Sequence, residues 1–153
     1  MILLRKAIKT DFAVLKNMYM TEVEPHSERA EAFAHDLLSQ METILCFDDD
    51  ILCGTVSWAI RGGLNDGIIE IIGLGVNAEY QRRGIATRLV NQVLSDAKNK
   101  FASKDYALRR IFLFMEEGNM VARQFYQKLG FVETATITDF YPSDGASIFV
   151  KRV

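Results

Sequence analysis

Arg82, Arg83 and Gly84 stand together in the stretch YQRRGIA, residues 80–86, and their types and spacing suit the capture of a phosphate or pyrophosphate. An apolar run, IIEIIGLGV, ends just before them, and a long amphipathic run, GIATRLVNQVLSDAKNKF, begins at Gly84. A strand that turns into a helix at such a point presents the helix's first N–H groups, which lack intrahelical partners, together with the positive end of the helix dipole. A glycine lets the backbone come close to a bound group. Two guanidinium groups and the Thr87 hydroxyl add donors, so the junction reads as an anion cradle. Two well-known phosphate loops do not fit: there is no Gly-Lys pair for GxxxxGK[ST], and the sole GxG, at 73–75, is followed by Ala78 where the third glycine belongs. A second chemical candidate is Glu70, the one charged side chain in the apolar run. A carboxylate there is costly unless it is partnered or used, and it suits a general base accepting a proton from an ammonium.

The elements that must position these residues can be read from periodicity. ILLRKA reads as a first strand. Thr10 then reads as an N-cap for a helix carrying Phe12, Leu15, Met18 and Tyr19 at helical spacing. SERAEAFAHDLLSQM reads as a second helix that opens with Ser27. TILCF and ILCGTVSWAI are joined by three aspartates and predict a hairpin, across which Cys46 and Cys53 could face one another. The run 68–76 predicts a strand buried on both faces. A long helix with a stripe of Leu89, Val90, Val93, Leu94 and Ala97 follows the basic turn. LRRIFLFM is a strand, NMVARQFYQKLG a helix stopped by Gly130, and FVETATI and ASIFVKRV two closing strands. The order β-α-α-β-β-β-α-β-α-β-β is an α/β mixture.

Composition bounds the possibilities. The 153 residues suffice for one domain with a sizeable core. A net charge of −2 argues against a general affinity for nucleic acid or anionic membrane. No apolar stretch is long enough to span a bilayer. Arg5, Lys6 and Lys9 after a short apolar start do not make a signal peptide, so a cytoplasmic location is expected. The two cysteines form no CxxC and read as small buried apolar side chains. His26 and His35 lack metal-ligand spacing, and no metal is expected.

QRRGIA fits [QR]-x-x-G-x-[GA], the acyl-CoA pyrophosphate loop of the GNAT acetyltransferase superfamily, and NMVARQFYQKLGF resembles that family's second signature, N-xx-A-xx-FY-xx-LGF. The order of elements agrees from Ile2 to Val153, so the chain is identified as a single acetyltransferase domain spanning 1–153. The resemblance implies an α/β (α+β) fold: a mixed, mostly antiparallel twisted sheet of about seven strands, flanked by about four helices, with its central strands splayed. It implies acetyl-CoA as cosubstrate, with no metal. Gln81 opens the loop motif, and the backbone N–H groups of Arg82, Arg83, Gly84, Ile85, Ala86 and Thr87 would hold the pyrophosphate. The backbone of Leu74 and Val76 would pair with pantetheine, and the Val76 N–H would polarise the thioester carbonyl. Asn119 would contact the cofactor arm, although a plain N-cap explains it equally well. Tyr126 would protonate the departing thiolate, and Glu70 would be the general base.

Serine, cysteine and histidine offer no convincing nucleophile triad, so direct attack by the amine is expected. The acceptor is a small-molecule or peptide amine. The tail TDFYPSDGASIFVKRV is somewhat similar to protein N-terminal acetyltransferases. A few residues before the helix-opening asparagine, however, bacterial members carry Glu and Arg where this chain has Phe114 and Met115–Glu116, which puts ribosomal-protein acetylation in doubt. The acidic segment 22–31 and the loop 61–67 are expected on the acceptor side, where Glu22, Glu24, Glu28 and Glu31 could attract a cationic amine. A homodimer through ASIFVKRV is compatible with the sequence. A non-catalytic acyl-CoA sensor and a nucleotide-phosphate binder are the alternatives.

Overall fold

A computed structural model describes residues 1–153. Its strands are β1 (Ile2–Lys6), β2 (Glu42–Asp48), β3 (Ile51–Arg61), β4 (Ile68–Val76), β5 (Arg110–Glu116), β6 (Val132–Tyr141) and β7 (Asp144–Arg152). Four α-helices join them: α1 (Phe12–Glu22), α2 (Ser27–Ser39), α3 (Ile85–Ala102) and α4 (Met120–Lys128). The strands form one seven-stranded sheet in the order β1-β2-β3-β4-β5-β7-β6. The chain divides into two compact units, Met1–Ala59 with Gly73–Ser95 and Ile60–Ile72 with Asp96–Val153. No helix is long and apolar enough to cross a membrane.

In the first unit, β1, β2 and β3 are antiparallel neighbours, and β2 and β3 form the expected hairpin over the aspartates, with Asp49 in a left-handed conformation. Leu15 of α1 and Ala34 and Leu37 of α2 bury themselves with Leu45 and Leu52 of the hairpin. Burying a leucine contributes roughly 1.5–3 kcal/mol, so this cluster fixes both helices to the strands. The pairing of β2 with β3 is not uniform. Cys46 opposes Gly54 but Phe47 opposes Leu52, which leaves Cys53 as the extra residue of a bulge.

The start of α1 differs from the periodicity reading. Thr10 does not cap α1. It lies within a 3-10 turn, Lys9–Asp11, and Asp11 organises the entry instead. The Asp11 carboxylate accepts the Ile8 N–H at 2.8 Å and a two-pronged pair of bonds from the Arg5 guanidinium at 2.8 and 2.9 Å. α2 opens at Ser27 as expected, and its cap is His26, whose Nδ1 accepts the Arg29 N–H at 3.2 Å.

In the second unit, β4 pairs with β5 in parallel over Ile68–Glu70 alone, which is the splaying of the central strands. The other recorded pairings in both units are antiparallel. β5 alternates: Ile111, Leu113 and Met115 are buried, while Phe112, Phe114 and Glu116 point to the other face. α4 ends as expected at Gly130, which has φ +90. β7 is hydrogen-bonded on both sides, to β5 and to β6. ASIFVKRV therefore has no free edge to offer a second copy; the outer strand is β6.

The Arg5–Asp11 pair gives the fold a measurable pH dependence. Asp11 is 5% exposed. The hydrogen bond from Arg5, ahead of that from the Ile8 amide, holds its carboxyl below the ordinary value of 3.8. A folded-state pKa below the unfolded one means the stabilisation is complete above the unfolded value and is lost as pH falls through the folded one. Asp11→Asn is expected to lower stability by about 2 kcal/mol at pH 7 in urea denaturation. The difference between wild type and variant should shrink as pH falls below about 4.

Candidate active site

The basic turn is anchored from below within the first unit. Asn77, the residue after β4, donates its N–H to the Cys53 carbonyl at 2.9 Å and its Nδ2 to the Leu52 carbonyl at 2.8 Å, gripping the bulge of β3. A 3-10 turn over Ala78–Tyr80 follows. The Tyr80 hydroxyl donates to Asp48 at 3.3 Å, and the Arg83 guanidinium lies over the Tyr80 ring at 4.9 Å. The Gln81 side chain donates back to the Val76 carbonyl at 3.2 Å. Arg82 and Gly84 both take left-handed backbone conformations, φ +63 and +77. For a residue with a Cβ that conformation costs roughly 1–2 kcal/mol, and such strain clusters where a loop must bind something.

α3 begins immediately after this turn, with Arg88 N–H donating to the Gly84 carbonyl at 3.1 Å as its first intrahelical bond. The N–H groups of Ile85, Ala86 and Thr87 precede that bond and have no carbonyl to meet inside the helix. A Cβ placed on Gly73, Gly75 or Gly84 would meet nothing within 4 Å, so the space beside these three backbones is open. Gly54 is the opposite case. A Cβ there would lie 3.1 Å from the Gly75 carbonyl, 3.2 Å from Leu89 and 3.3 Å from Ile85. The absent side chain lets β4 and the start of α3 close onto β3. Leu74 and Val76 are half-buried on this part of β4, while Gln81, Arg82 and Arg83 are exposed.

In the second unit Glu70 is not the unpartnered carboxylate its sequence context suggests. Arg61 Nε donates to its Oε1 at 2.8 Å, and the Glu70 side chain retains 17% of its exposure. Glu70 opposes Phe112 in the parallel register. From Phe112 an aromatic chain runs through Phe114 (centroids 6.0 Å, edge-on) to Phe140 (5.5 Å, interplanar angle 7°) and on to Tyr141 (5.0 Å, edge-on). The Tyr141 hydroxyl is pushed up, first by burial, then by Glu116 and Glu70, so it stays a neutral donor. This aromatic floor carrying a carboxylate is absent from the sequence-based site. The alternation of apolar residues in β5 is its one visible trace, because Phe112 and Phe114 fall on the face that the core does not need.

Tyr126 lies in α4 and is 7% exposed, packed edge-on between Phe125 at 5.0 Å and Phe131 at 5.3 Å. Burial alone raises its phenol well above the usual value, which keeps the proton in place for donation. Asn119 is the N-cap of α4, its Oδ1 accepting the Ala122 N–H at 3.1 Å. Asp144 fixes the approach to that helix: its two carboxylate oxygens accept the N–H groups of Gly118 and Gly145, each at 2.8 Å. The turn between β6 and β7, residues 139–145, lines an open cleft.

The acidic segment 22–31 is less free than its charge count suggests. Glu24 accepts from the Tyr19 hydroxyl at 2.7 Å and pairs with Arg29, and these bonds hold its carboxyl below the usual range. Glu31 pairs with Lys16 at 2.9 Å. Two of the four carboxylates expected to draw in a cation are thus answered by this chain's own residues. No group of three or more His, Cys, Asp or Glu side chains is placed to hold a metal ion.

Against known proteins, residues 4–131 match the model of the acetyltransferase (GNAT) family. The chain is 32% identical to N-alpha-acetyltransferase 50 of Danio rerio over 112 residues, which is 72% of this chain and 64% of the relative. It is 30% identical to an N-alpha-acetyltransferase of Saccharolobus solfataricus over 53% of this chain and 45% of the relative. The chain therefore spans between about half and two thirds of the length of these curated relatives. Among solved structures, Arabidopsis thaliana Naa50 in complex with the bisubstrate analogue CoA-Ac-MVNAL superposes with a TM-score of 0.76 at 25% identity, covering 98% of this chain and 97% of that one.

The close approach at Gly54 yields a direct test of how the cradle is supported. Gly54→Val should destabilise the protein by about 2 kcal/mol through overpacking against the Gly75 carbonyl and Leu89, read as a lower urea midpoint at unchanged slope. An unchanged midpoint would show that β3, β4 and α3 are not held at contact distance there.

Proposed function

Because the chain belongs to the acetyltransferase (GNAT) family, we propose that it is a single catalytic domain that moves an acetyl group from acetyl-CoA to a primary amine, with a peptide α-amine as the acceptor. The observation that carries this reading is the turn Gln81–Thr87. It combines two left-handed residues, an open glycine and the unmet N–H groups of a helix start, anchored to β3 through Asn77. A pyrophosphate supplies the acceptor oxygens such a turn needs, and acetyl-CoA supplies the pyrophosphate. The names of the relatives, N-alpha-acetyltransferases, support the peptide acceptor. The internal pairing of Glu24 and Glu31 speaks against a site built to attract polyamines.

The chemistry assigned to the chain is direct transfer. The amine nitrogen attacks the thioester carbon, a C–N bond forms, and the C–S bond breaks as the tetrahedral adduct collapses. Glu70 accepts the ammonium proton, directly or through water, and Arg61 holds its carboxylate in place. The Val76 N–H polarises the thioester carbonyl. Tyr126, kept neutral by burial, gives its proton to the leaving thiolate. Leu74 and Val76 present backbone to the pantetheine arm. Asn119 can serve the arm with its amide nitrogen, since the cap of α4 uses only its oxygen. A metal has no part in these steps.

Purified protein should consume acetyl-CoA with peptides bearing free N-termini and turn over polyamines and free lysine poorly; the reverse preference would move the acceptor to small amines. Gly84→Trp fills the cradle and is expected to raise the KM for acetyl-CoA at least about tenfold, alongside a cost in folding of roughly 1–2 kcal/mol from the left-handed backbone that a urea midpoint measures separately. Tyr126→Phe and Glu70→Gln should each lower kcat by about 100-fold or more, the usual size of an acid–base contribution. Saturable binding without turnover on any amine would replace the enzyme by a cofactor sensor. Failure to bind acetyl-CoA would end the reading altogether.

A further inference from the structure

Two thiols that the transfer reaction does not use meet under the anion loop. Cys46 and Cys53 are free and fully buried, with their sulfurs 3.3 Å apart. Cys53 also donates to the Cys46 carbonyl at 3.2 Å, so both side chains already point into the same space. A disulfide requires a separation of about 2.05 Å, and closing the gap takes a movement of little more than 1 Å. The residue that would move is not held by regular pairing, because Cys53 is the extra residue of the β2–β3 bulge. Its carbonyl, with that of Leu52, is what Asn77 grips, and Asn77 leads into the turn that carries Arg82, Arg83 and Gly84.

We propose that Cys46 and Cys53 are an oxidisable pair that closes to an intramolecular disulfide, and that closure weakens anion binding at the Gln81–Thr87 loop by displacing the carbonyls that hold Asn77. The affinity arm rests on the acetyl-CoA reading above; the disulfide arm does not. The oxidant is hydrogen peroxide. One sulfur attacks a peroxide oxygen, the O–O bond breaks, and a sulfenic acid and one water form. The second thiol then displaces the sulfenic oxygen as a second water, joining the sulfurs. Both thiol protons end in water, and the peroxide takes up the two electrons. Burial, reinforced by the Cys53 hydrogen bond, pushes the Cys46 thiol up to about 12. Cys46 thus stays protonated at neutral pH.

The test starts from the reduced full chain, treated with hydrogen peroxide, denatured, alkylated with iodoacetamide and weighed intact. The expected product is about 2 Da lighter, carries no alkyl group, and regains two after dithiothreitol; Cys53→Ala and Cys46→Ala each take one alkyl group and form no internal bridge. Calorimetry then uses acetyl-CoA, since the free thiol of CoA would exchange with the bridge. Oxidation should raise its Kd about tenfold, the size of one lost anchoring hydrogen bond, with recovery on reduction and no response in Cys46→Ala. Two alkyl groups after peroxide, or sulfinic acid in place of a bridge, would overturn the proposal. So would a bridged protein with unchanged Kd. Reduced protein that does not bind acetyl-CoA would sink the cofactor reading and the affinity arm together, while the mass result still decides the disulfide.

Discussion

Everything distinctive in this chain follows from backbone groups that regular structure leaves unanswered. β4 takes parallel partners from β5 at Ile68, Ile69 and Glu70 and then runs on to Val76. Eight residues after Val76, Gly84 opens a helix whose first N–H groups are unmet. Buried or half-buried peptide groups without partners are costly, so a fold keeps them only where something else satisfies them. The neighbouring residues read as devices for keeping those groups in place and open: small residues at 73, 75 and 84, a gripping Asn77, a missing side chain at Gly54.

Charge is secondary in this arrangement. The chain carries a net charge of −2, and of the two loop arginines one is stacked on Tyr80. Oriented peptide dipoles at a helix start attract an anion without reorganising and without titrating. The same economy governs the acidic groups: Glu24, Glu31 and Glu70 each have a basic partner from this chain.

The local parts of this design were legible in the sequence because they depend on neighbours a few residues apart. The turn between β4 and α3, the amphipathic α3, the N-cap Asn119 and the terminating Gly130 rest on dihedral preferences and orphan N–H groups, and all four appear where the pattern places them. Glu70 was legible as a residue but not as a pair, because Arg61 reaches it from the strand before, nine residues away. The aromatic floor was not legible, since Phe114 and Phe140 are brought together by β5, β7 and β6 lying side by side. The start of α1 was misplaced by one residue, because Thr10 is taken up in the 3-10 turn that Asp11 closes on the Ile8 N–H. The bulge at Cys53 left no composition signal, because a bulge is a mismatch between two strands and belongs to neither alone.

The outer strand β6 has a different consequence, for the behaviour of many copies together. It is ten residues long and exposed almost throughout, with Val132, Ile137 and Phe140 open to solvent, which is the kind of edge that recruits further strands into fibrils. Its register against β7 shifts twice, between Glu133 and Ala135 and again between Ile137 and Tyr141, and Asp139 in the second shift has φ +53. A template bent in two places, with Glu133 and Asp139 along it, presents no straight ladder of peptide groups to a passing chain. The irregularities that spoil β6 as a strand make it a poorer template for strand addition than a straight edge of the same length.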